Sequence, residues 1–321
     1  MFERVLVTGA DGFVASHLVV ELERQWNCSI FGVGLKEKPM VKCDKLSYRV
    51  LDITDYEACK NFIGEVKPEA VFHLAAQPSV ALSWKNPHAT YEINLLGELN
   101  ILEALRRANL DVSFHVACSS EEYGKSFNLP LIEDSPLRPC SHYAVSKVAQ
   151  EMMALAYYEA FSWRVLVTRG FNQAGPGQSP EFVISSFAYQ IARIEAGLCE
   201  PVIKVGNLEA KRDFTDVRDT VRALRMVLEK GKAGSIYNVC SGRAHRISDL
   251  LEMLIGMAKV AVRIEQDPER SRPSDIPVVV GDLKKIKEEV GWEPEIPIEK
   301  TLADTLDWWR VNLQQKTSSC E

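Results

Sequence analysis

Tyr143-Ala144-Val145-Ser146-Lys147 puts a phenol and an ammonium four residues apart, which on a helix is one face. A nearby cation favours the phenolate, so this spacing predicts a tyrosine drawn down towards working pH. Such a group gives a proton to a carbonyl as hydride arrives, or takes one up in reverse. Alone the spacing is weak, because tyrosine and lysine often share an exposed helix face. Its weight comes from Ser119-Ser120-Glu121-Glu122-Tyr123-Gly124, which ends an apolar run that reads as a strand. Ser119 can hydrogen-bond a reacting oxygen, and Glu121 can act as general base beside a ketone. Plainer readings stand beside these: a capped turn for the serines, and exposed charges for Glu121 and Glu122. Ser119, Tyr143, Lys147 and Glu121 are the catalytic candidates.

A second pattern is Thr8-Gly9-Ala10-Asp11-Gly12-Phe13-Val14-Ala15. Glycines between a strand and a helix permit a tight turn and let backbone N–H groups approach a pyrophosphate. Ala15 stands where a third glycine often stands, a position that mainly sets helix–strand packing. Leu51-Asp52-Ile53 offers a carboxylate and apolar walls for an adenine, and Leu74-Ala75-Ala76 ends a strand in small residues that leave room for a cofactor. His73, just before them, reads as a core or edge histidine. The second strand ends in Gly32-Val33-Gly34-Leu35-Lys36, with no acid to hold a ribose 2′-OH and a lysine close by. That favours NADP(H) over NAD(H), although Lys36 also reads as a plain surface charge.

These groups need a scaffold that brings strand ends and helix starts together. Residues 4–8 read as a Val-rich strand, followed by a helix through 23 and strands at 29–33 and 70–74. A helix over 94–107, a strand at 113–118, a helix over 144–161 and a strand at 164–168 continue the alternation. Alternation of this kind predicts a mostly parallel sheet covered on both faces, the doubly wound Rossmann-type α/β arrangement. After residue 172 the texture changes to Gly- and Pro-rich segments, although 236–239 reads as a strand returning to the first sheet. The expected division is a dinucleotide-binding domain over 1–172 with 213–243, and a smaller α/β substrate domain from 173–212 and 244–321.

Composition narrows the function classes. The chain has 321 residues, 46% of them hydrophobic and 26% charged, which is globular composition. A net charge of −6 gives no general attraction for nucleic acid. No apolar run approaches the roughly 18 to 20 residues of a membrane span. The first residues lack the separate apolar region and cleavage site of a signal peptide, so a cytoplasmic location is expected. Eight cysteines and six histidines are scattered without metal-ligand spacing, so no metal is expected.

With these motifs in place, the chain resembles the extended short-chain dehydrogenase/reductases that act on nucleotide-sugars, the NAD-dependent epimerase/dehydratase group. The resemblance runs through 8–13, 73–76, Asn94, 119–124, 143–147, Arg169-Gly170-Phe171-Asn172, Gly175-Pro176-Gly177-Gln178, Arg212-Asp213-Phe214 and Arg272-Pro273-Ser274-Asp275. Within the group it is most similar to the GDP-4-keto-6-deoxy-D-mannose reductases. That resemblance implies reduction of a C4 keto group by NAD(P)H to give GDP-D-rhamnose, with Ser119, Tyr143 and Lys147 as the triad. It implies cofactor contacts from Gly9, Asp11, Gly12, Phe13, Val14, Lys36, Asp52, Ile53, Leu74, Ala75, Ala76, Asn94, Tyr143 and Lys147. For the GDP-sugar it implies Ser120, with Asn172, Arg212 and Arg272 at the diphosphate and Lys204 and Asp275 at the nucleoside end. It further implies a homodimer through the helices around 95–107 and 144–161. Two rival activities share the pattern: GDP-mannose 4,6-dehydratase, in which Glu121 would take the C5 proton, and nucleotide-sugar 4-epimerase.

Overall fold

Thirteen strands run through the described residues of the computed structural model, which are 2–126, 128–270 and 276–318. In chain order they are β1 (Arg4–Thr8), β2 (Ser29–Gly34), β3 (Leu46–Val50), β4 (Ala70–His73), β5 (Ser113–Ser119), β6 (Arg164–Gly170), β7 (Asn172–Ala174), β8 (Val202–Val205), β9 (Lys211–Asp216), β10 (Ser235–Val239), β11 (Ala244–Arg246), β12 (Arg263–Gln266) and β13 (Val278–Val279). Arg272 and Asp275, expected at the substrate, lie outside the described residues.

Seven strands form one parallel sheet in the order β3-β2-β1-β4-β5-β6-β10. Val5, Leu6 and Val7 of β1 are all fully buried, because helices cover both faces and a central strand has no wet side. Val5 and Val7 pack with helices Phe13–Gln25 and Val217–Lys230. Leu6 faces the opposite way, towards helices Tyr56–Val66, Gly97–Arg107 and His142–Phe161. Strand order reverses between β1 and β4, and the crevice at that switch point is where such sheets take ligands. The Gly-rich turn follows β1 and the small residues follow β4, so the two motifs meet there. β3 was not legible in the sequence. It is an edge strand, half exposed and alternating polar with apolar residues, and it lacks the apolar density of its neighbours.

The second lobe is assembled from smaller pieces. β9 pairs with β7, β11 and β13, and β8 pairs with β12. Helices Val183–Glu195, Ile247–Gly256 and Ile298–Ser318 close over these strands around Phe187, Ile191, Phe214, Leu250, Leu254, Leu302 and Leu306. Residues 217–239 return between these segments to add a helix and β10 to the first sheet.

Candidate active site

Gly9 has a left-handed φ of +67°, and a Cβ there would stand 2.8 Å from Ala75 Cα. No other residue type fits both the turn and the approach of the Ala75 backbone. Thr8 fixes the other side, its hydroxyl accepting from the N–H groups of Leu74 and Ala75, each at 3.2 Å. The same hydroxyl meets His73 Nδ1 at 3.0 Å, and burial holds that imidazole down to about 3. His73 is thus a neutral core residue. Helix Phe13–Gln25 begins at Gly12 with no side-chain cap and no acid in its first turn. The first-turn N–H groups, those of Phe13 and Val14 among them, have no intrahelical acceptor and face the crevice with the positive end of the helix dipole. The cradle and the uncapped helix start fit a dinucleotide pyrophosphate.

Around this cradle the expected cofactor residues take different positions. Asp11 turns its carboxylate to the N–H groups of Leu35 (3.1 Å) and Lys36 (3.0 Å), while Lys36 Nζ donates to Asp11 O at 2.9 Å. Asp11 therefore holds the end of β2, and Lys36 stays exposed beside the glycine turn. Asp52 accepts from the N–H and hydroxyl of Thr54, which locks the turn next to buried Ile53. Asn94 is fully buried, in a single π-helical turn spanning Glu92–Leu96. Its amide accepts from Gln77 N at 2.7 Å and donates to Ser146 Oγ at 2.9 Å. Asn94 thus braces the segment after β4 against the tyrosine-bearing helix, and lines no open surface.

The catalytic candidates converge where β5 ends. Ser119 caps a short 3₁₀ turn, Ser120–Tyr123, with its hydroxyl accepting from Glu121 N at 3.2 Å. Ser141 caps helix His142–Phe161 by accepting from Ala144 N, and so sets Tyr143 in the first turn and Lys147 one turn on. The Tyr143 phenol faces the Ser119 hydroxyl. Lys147 is buried, and its Nζ donates to Ala117 O of β5 at 2.8 Å. The phenol is not drawn down as the spacing predicted. Burial pushes it well above its ordinary value; the Ser119 hydroxyl opposes this, and the Glu121 and Glu122 carboxylates add to it. Burial is the largest influence on the phenol, and the lysine's direct partner is the Ala117 carbonyl. Ser120 is buried at the start of the turn and Glu121 is half-buried. Glu122, read in the sequence as an exposed charge, is fully buried behind the site.

On the substrate side, Asn172 of β7 is exposed and Arg212 lies on the adjacent β9. Arg212 donates to Ile276 O at 2.6 Å, next to the segment that leads to 272–275. Gly175–Gly177 passes over the first helix, where His17 Nε2 meets Pro176 O at 2.9 Å and so ties the two lobes together. A cavity of ≈ 640 Å³ opens in the second lobe, lined by Glu181, Tyr189, Gln190, Arg193, Lys204 and Arg270 among others. Gln190 and Lys204 exchange two hydrogen bonds through the Lys204 backbone. Of the lining residues, only Lys204 was singled out in the sequence. A signal was present, since Ser186, Tyr189, Gln190 and Arg193 recur at helical spacing on one face of an otherwise apolar helix.

Comparison with known proteins agrees with this geometry. A family model described as GDP-mannose 4,6 dehydratase matches residues 6–305. The chain is 36% identical over 318 residues to GDP-6-deoxy-D-mannose reductase of Pseudomonas aeruginosa, covering 98% of this chain and 100% of that protein. It is 32% identical over 269 residues to GDP-mannose 4,6 dehydratase 2 of Arabidopsis thaliana, covering 82% and 71% respectively. Among solved structures, RMD from Pseudomonas aeruginosa complexed with NADPH matches with a TM-score of 0.84 at 35% identity, covering 97% of this chain and 99% of that one.

Proposed function

The chain belongs to the GDP-mannose 4,6 dehydratase family, and from that premise we propose that it reduces the C4 keto group of GDP-4-keto-6-deoxy-D-mannose with NAD(P)H, giving GDP-D-rhamnose. The observation that carries this reading is the convergence of Ser119, Tyr143 and Lys147 at the end of β5, with Lys147 anchored to Ala117 O at 2.8 Å and the phenol raised above its ordinary value by burial. Reduction needs a proton donor at the keto oxygen, and a raised phenol is one at neutral pH. Full-length likeness to a GDP-6-deoxy-D-mannose reductase supports the substrate.

When bound, the nicotinamide supplies the hydride that C4 receives. Tyr143 Oη gives its proton to the keto oxygen, so C=O becomes CH–OH with atoms and charge balanced. Ser119 Oγ orients that oxygen, and Lys147 holds positive charge near the tyrosinate that remains. Gly9, Gly12, Phe13, Val14 and the Leu74–Ala76 backbone cradle the dinucleotide, while Asp52 and Ile53 flank its adenine end. Lys36, with no acid of β2 beside it, supports NADP(H) over NAD(H). Asn172 and Arg212 take the diphosphate, where a guanidinium offers paired donors, and Lys204 with the second-lobe cavity takes the nucleoside.

Other parts of the reading concern context. Val145 and Met152 are exposed apolar residues seven apart on helix His142–Phe161, which supports a homodimer through this helix. No described helix is long and apolar enough to cross a membrane. The seven described cysteines are free thiols, which supports a reducing, cytoplasmic setting.

Purified protein supplied with NADPH and GDP-4-keto-6-deoxy-D-mannose is expected to oxidise one NADPH per GDP-rhamnose formed. No oxidation, together with conversion of GDP-mannose into its 4-keto-6-deoxy form, would overturn the reading. It would favour the dehydratase alternative, for which half-buried Glu121 beside Tyr143 supplies a base.

A further inference from the structure

Behind Ser119 lies a polar group that the proposed reaction does not use. Glu122 and Glu151 are both fully buried and share a single guanidinium, that of Arg169. Arg169 grips Glu151 with Nε at 2.8 Å and a second nitrogen at 2.6 Å. Its remaining nitrogen donates to Tyr123 Oη and Glu133 O. Glu122 receives less: Oε1 accepts from Ser119 N at 3.0 Å, but Oε2 has no donor among the described residues. Arg169 Nε stands 3.4 Å from that oxygen with its hydrogen directed at Glu151. The Glu151 carboxylate lies within hydrogen-bonding reach of Glu122.

Arg169 directs its paired donors at Glu151 and Lys147 directs its ammonium at Ala117 O, so neither cation hydrogen-bonds Glu122 Oε2, and a second bare carboxylate beside Glu151 is unfavourable in a dry interior. One proton between the two carboxyl groups removes it. That proton also gives the orphaned Oε2 a partner, because a protonated Glu122 donates to Glu151.

We propose that Glu122 is a positioning residue for the Ser119–Tyr143 pair: a neutral carboxyl, sharing its proton with Glu151, that holds the end of β5 by accepting from Ser119 N–H. The charge balance and the strand-end hydrogen bond are one device. Ionisation of Glu122 would put a second negative charge behind Ser119 and loosen the alignment of its hydroxyl on Tyr143. The groups facing Glu122 are Cys118 of β5, Glu121 and Tyr123 of its own turn, Arg169 of β6, and Tyr143, Lys147 and Glu151 of helix His142–Phe161, with Glu98 beyond Cys118. Burial and the Glu151 carboxylate push the Glu122 carboxyl up to about 8, against the pull of Ser119 N–H and Arg169. Cys118 Sγ and the two carboxylates lie within 4.8 Å of one another, a metal-like grouping in which Arg169 already provides the positive charge.

The test compares the wild-type chain, E122Q and E122L, and it rests on the reductase reading for its kinetic arm. Glutamine keeps an acceptor for Ser119 N–H and a donor for Glu151. Leucine keeps the volume and the Arg169–Glu151 pair but holds nothing. E122L is expected to lose about 100-fold in kcat with the KM for NADPH little changed, the scale set by misplacing one reacting group. E122Q is expected to stay near wild type at neutral pH. The wild-type kcat is expected to fall above about pH 8, and this fall should be absent from E122Q. Equal losses in E122Q and E122L, an unaltered alkaline limb in E122Q, or full activity in E122L would each overturn the proposal. Crystal structures of the three proteins separate this idea from the choice of substrate. A Ser119 hydroxyl kept in its wild-type place beside Tyr143 in E122Q and displaced in E122L supports positioning even where the wild type does not turn over the keto sugar. The same placement intact in E122L sinks it.

Discussion

The two lobes, tied together where His17 meets Pro176 O, hold their polar residues in different ways. In the first, Ser119, Lys147 and the Gly9 turn sit on the ends of buried parallel strands or are hydrogen-bonded to them. In the second, Arg212 stands on a short strand, and Lys204 and Arg193 stand on a short strand and a helix surface around a cavity that no long strand frames. Strand ends inside a close-packed sheet move little, and proton transfer and hydride delivery need that accuracy. A surface assembled from short segments can change its lining without disturbing the sheet, which suits it to telling one substrate from another. If so, substitutions in the first lobe reduce turnover or cofactor binding, and those in the second reduce affinity for one substrate.

The strongest way to break this contrast is Tyr143→Phe. It removes the proton donor and keeps the ring, so kcat is expected to fall by about 10²–10⁴-fold while NADPH still binds. Retained turnover would show that water or another acid supplies the proton. Next in size is Gly9→Ala, which adds a Cβ 2.8 Å from Ala75 Cα at a φ of +67°. Strain of roughly 1–3 kcal/mol is expected there. It should appear as weaker cofactor binding by fluorescence titration, with nucleotide-sugar binding unchanged. Arg193→Ala probes the other lobe. Its guanidinium stands 5.6 Å from the Tyr189 ring centre and lines the cavity. The KM for the GDP-sugar is expected to rise about tenfold, as for loss of one charged contact, with the KM for NADPH constant. A change in both constants would mean that the lobes are coupled more tightly than the contrast allows.

How far the site could be read in advance follows the same division. Apolar runs and glycines mark the first lobe, because strands buried on both faces admit almost nothing else. The Gly9 turn, the Ser119 strand end and the Tyr143–Lys147 face were all legible. Hidden were features that need the third dimension. Glu122 follows Glu121 and has the same chemistry, yet only Glu122 turns inward onto Arg169, some 47 positions away in the chain. Asn94 gave no sign that both ends of its amide would be used inside the protein. The phenol's upward shift was misjudged because the i, i+4 rule counts Lys147 and not the burial of the phenol at the end of β5. In the second lobe the helix face bearing Tyr189, Gln190 and Arg193 was readable as amphipathic, but β8 had to pair with Gln190 before it became a cavity wall.

Buried acids carry the contrast into stability, where the expected effect is smallest and the sign most informative. Glu98 of the first lobe is fully buried, with one oxygen accepting from Gln150 at 2.6 Å and the other without a donor among the described residues. Burial pushes its carboxyl up to about 8, while Gln150 and Lys147 pull the other way. The folded chain therefore keeps a proton that the unfolded chain loses near pH 4.3, and stability falls as pH rises through that window, levelling above about 8. Glu195 of the second lobe has the opposite sign. Two Arg310 nitrogens hold it at 2.7 Å and lower its carboxyl, so its contribution is present above the ordinary carboxylate range and is lost as pH falls. Glu98→Gln keeps the acceptor for Gln150 and removes the titration. Urea unfolding of this variant and the wild type between about pH 5 and pH 8 should diverge by at most about 1.4 kcal/mol per pH unit, the variant gaining as pH rises. Parallel curves would mean that Glu98 is already ionised in the folded chain, and that the first lobe tolerates a buried charge which the geometry around Gln150 does not balance.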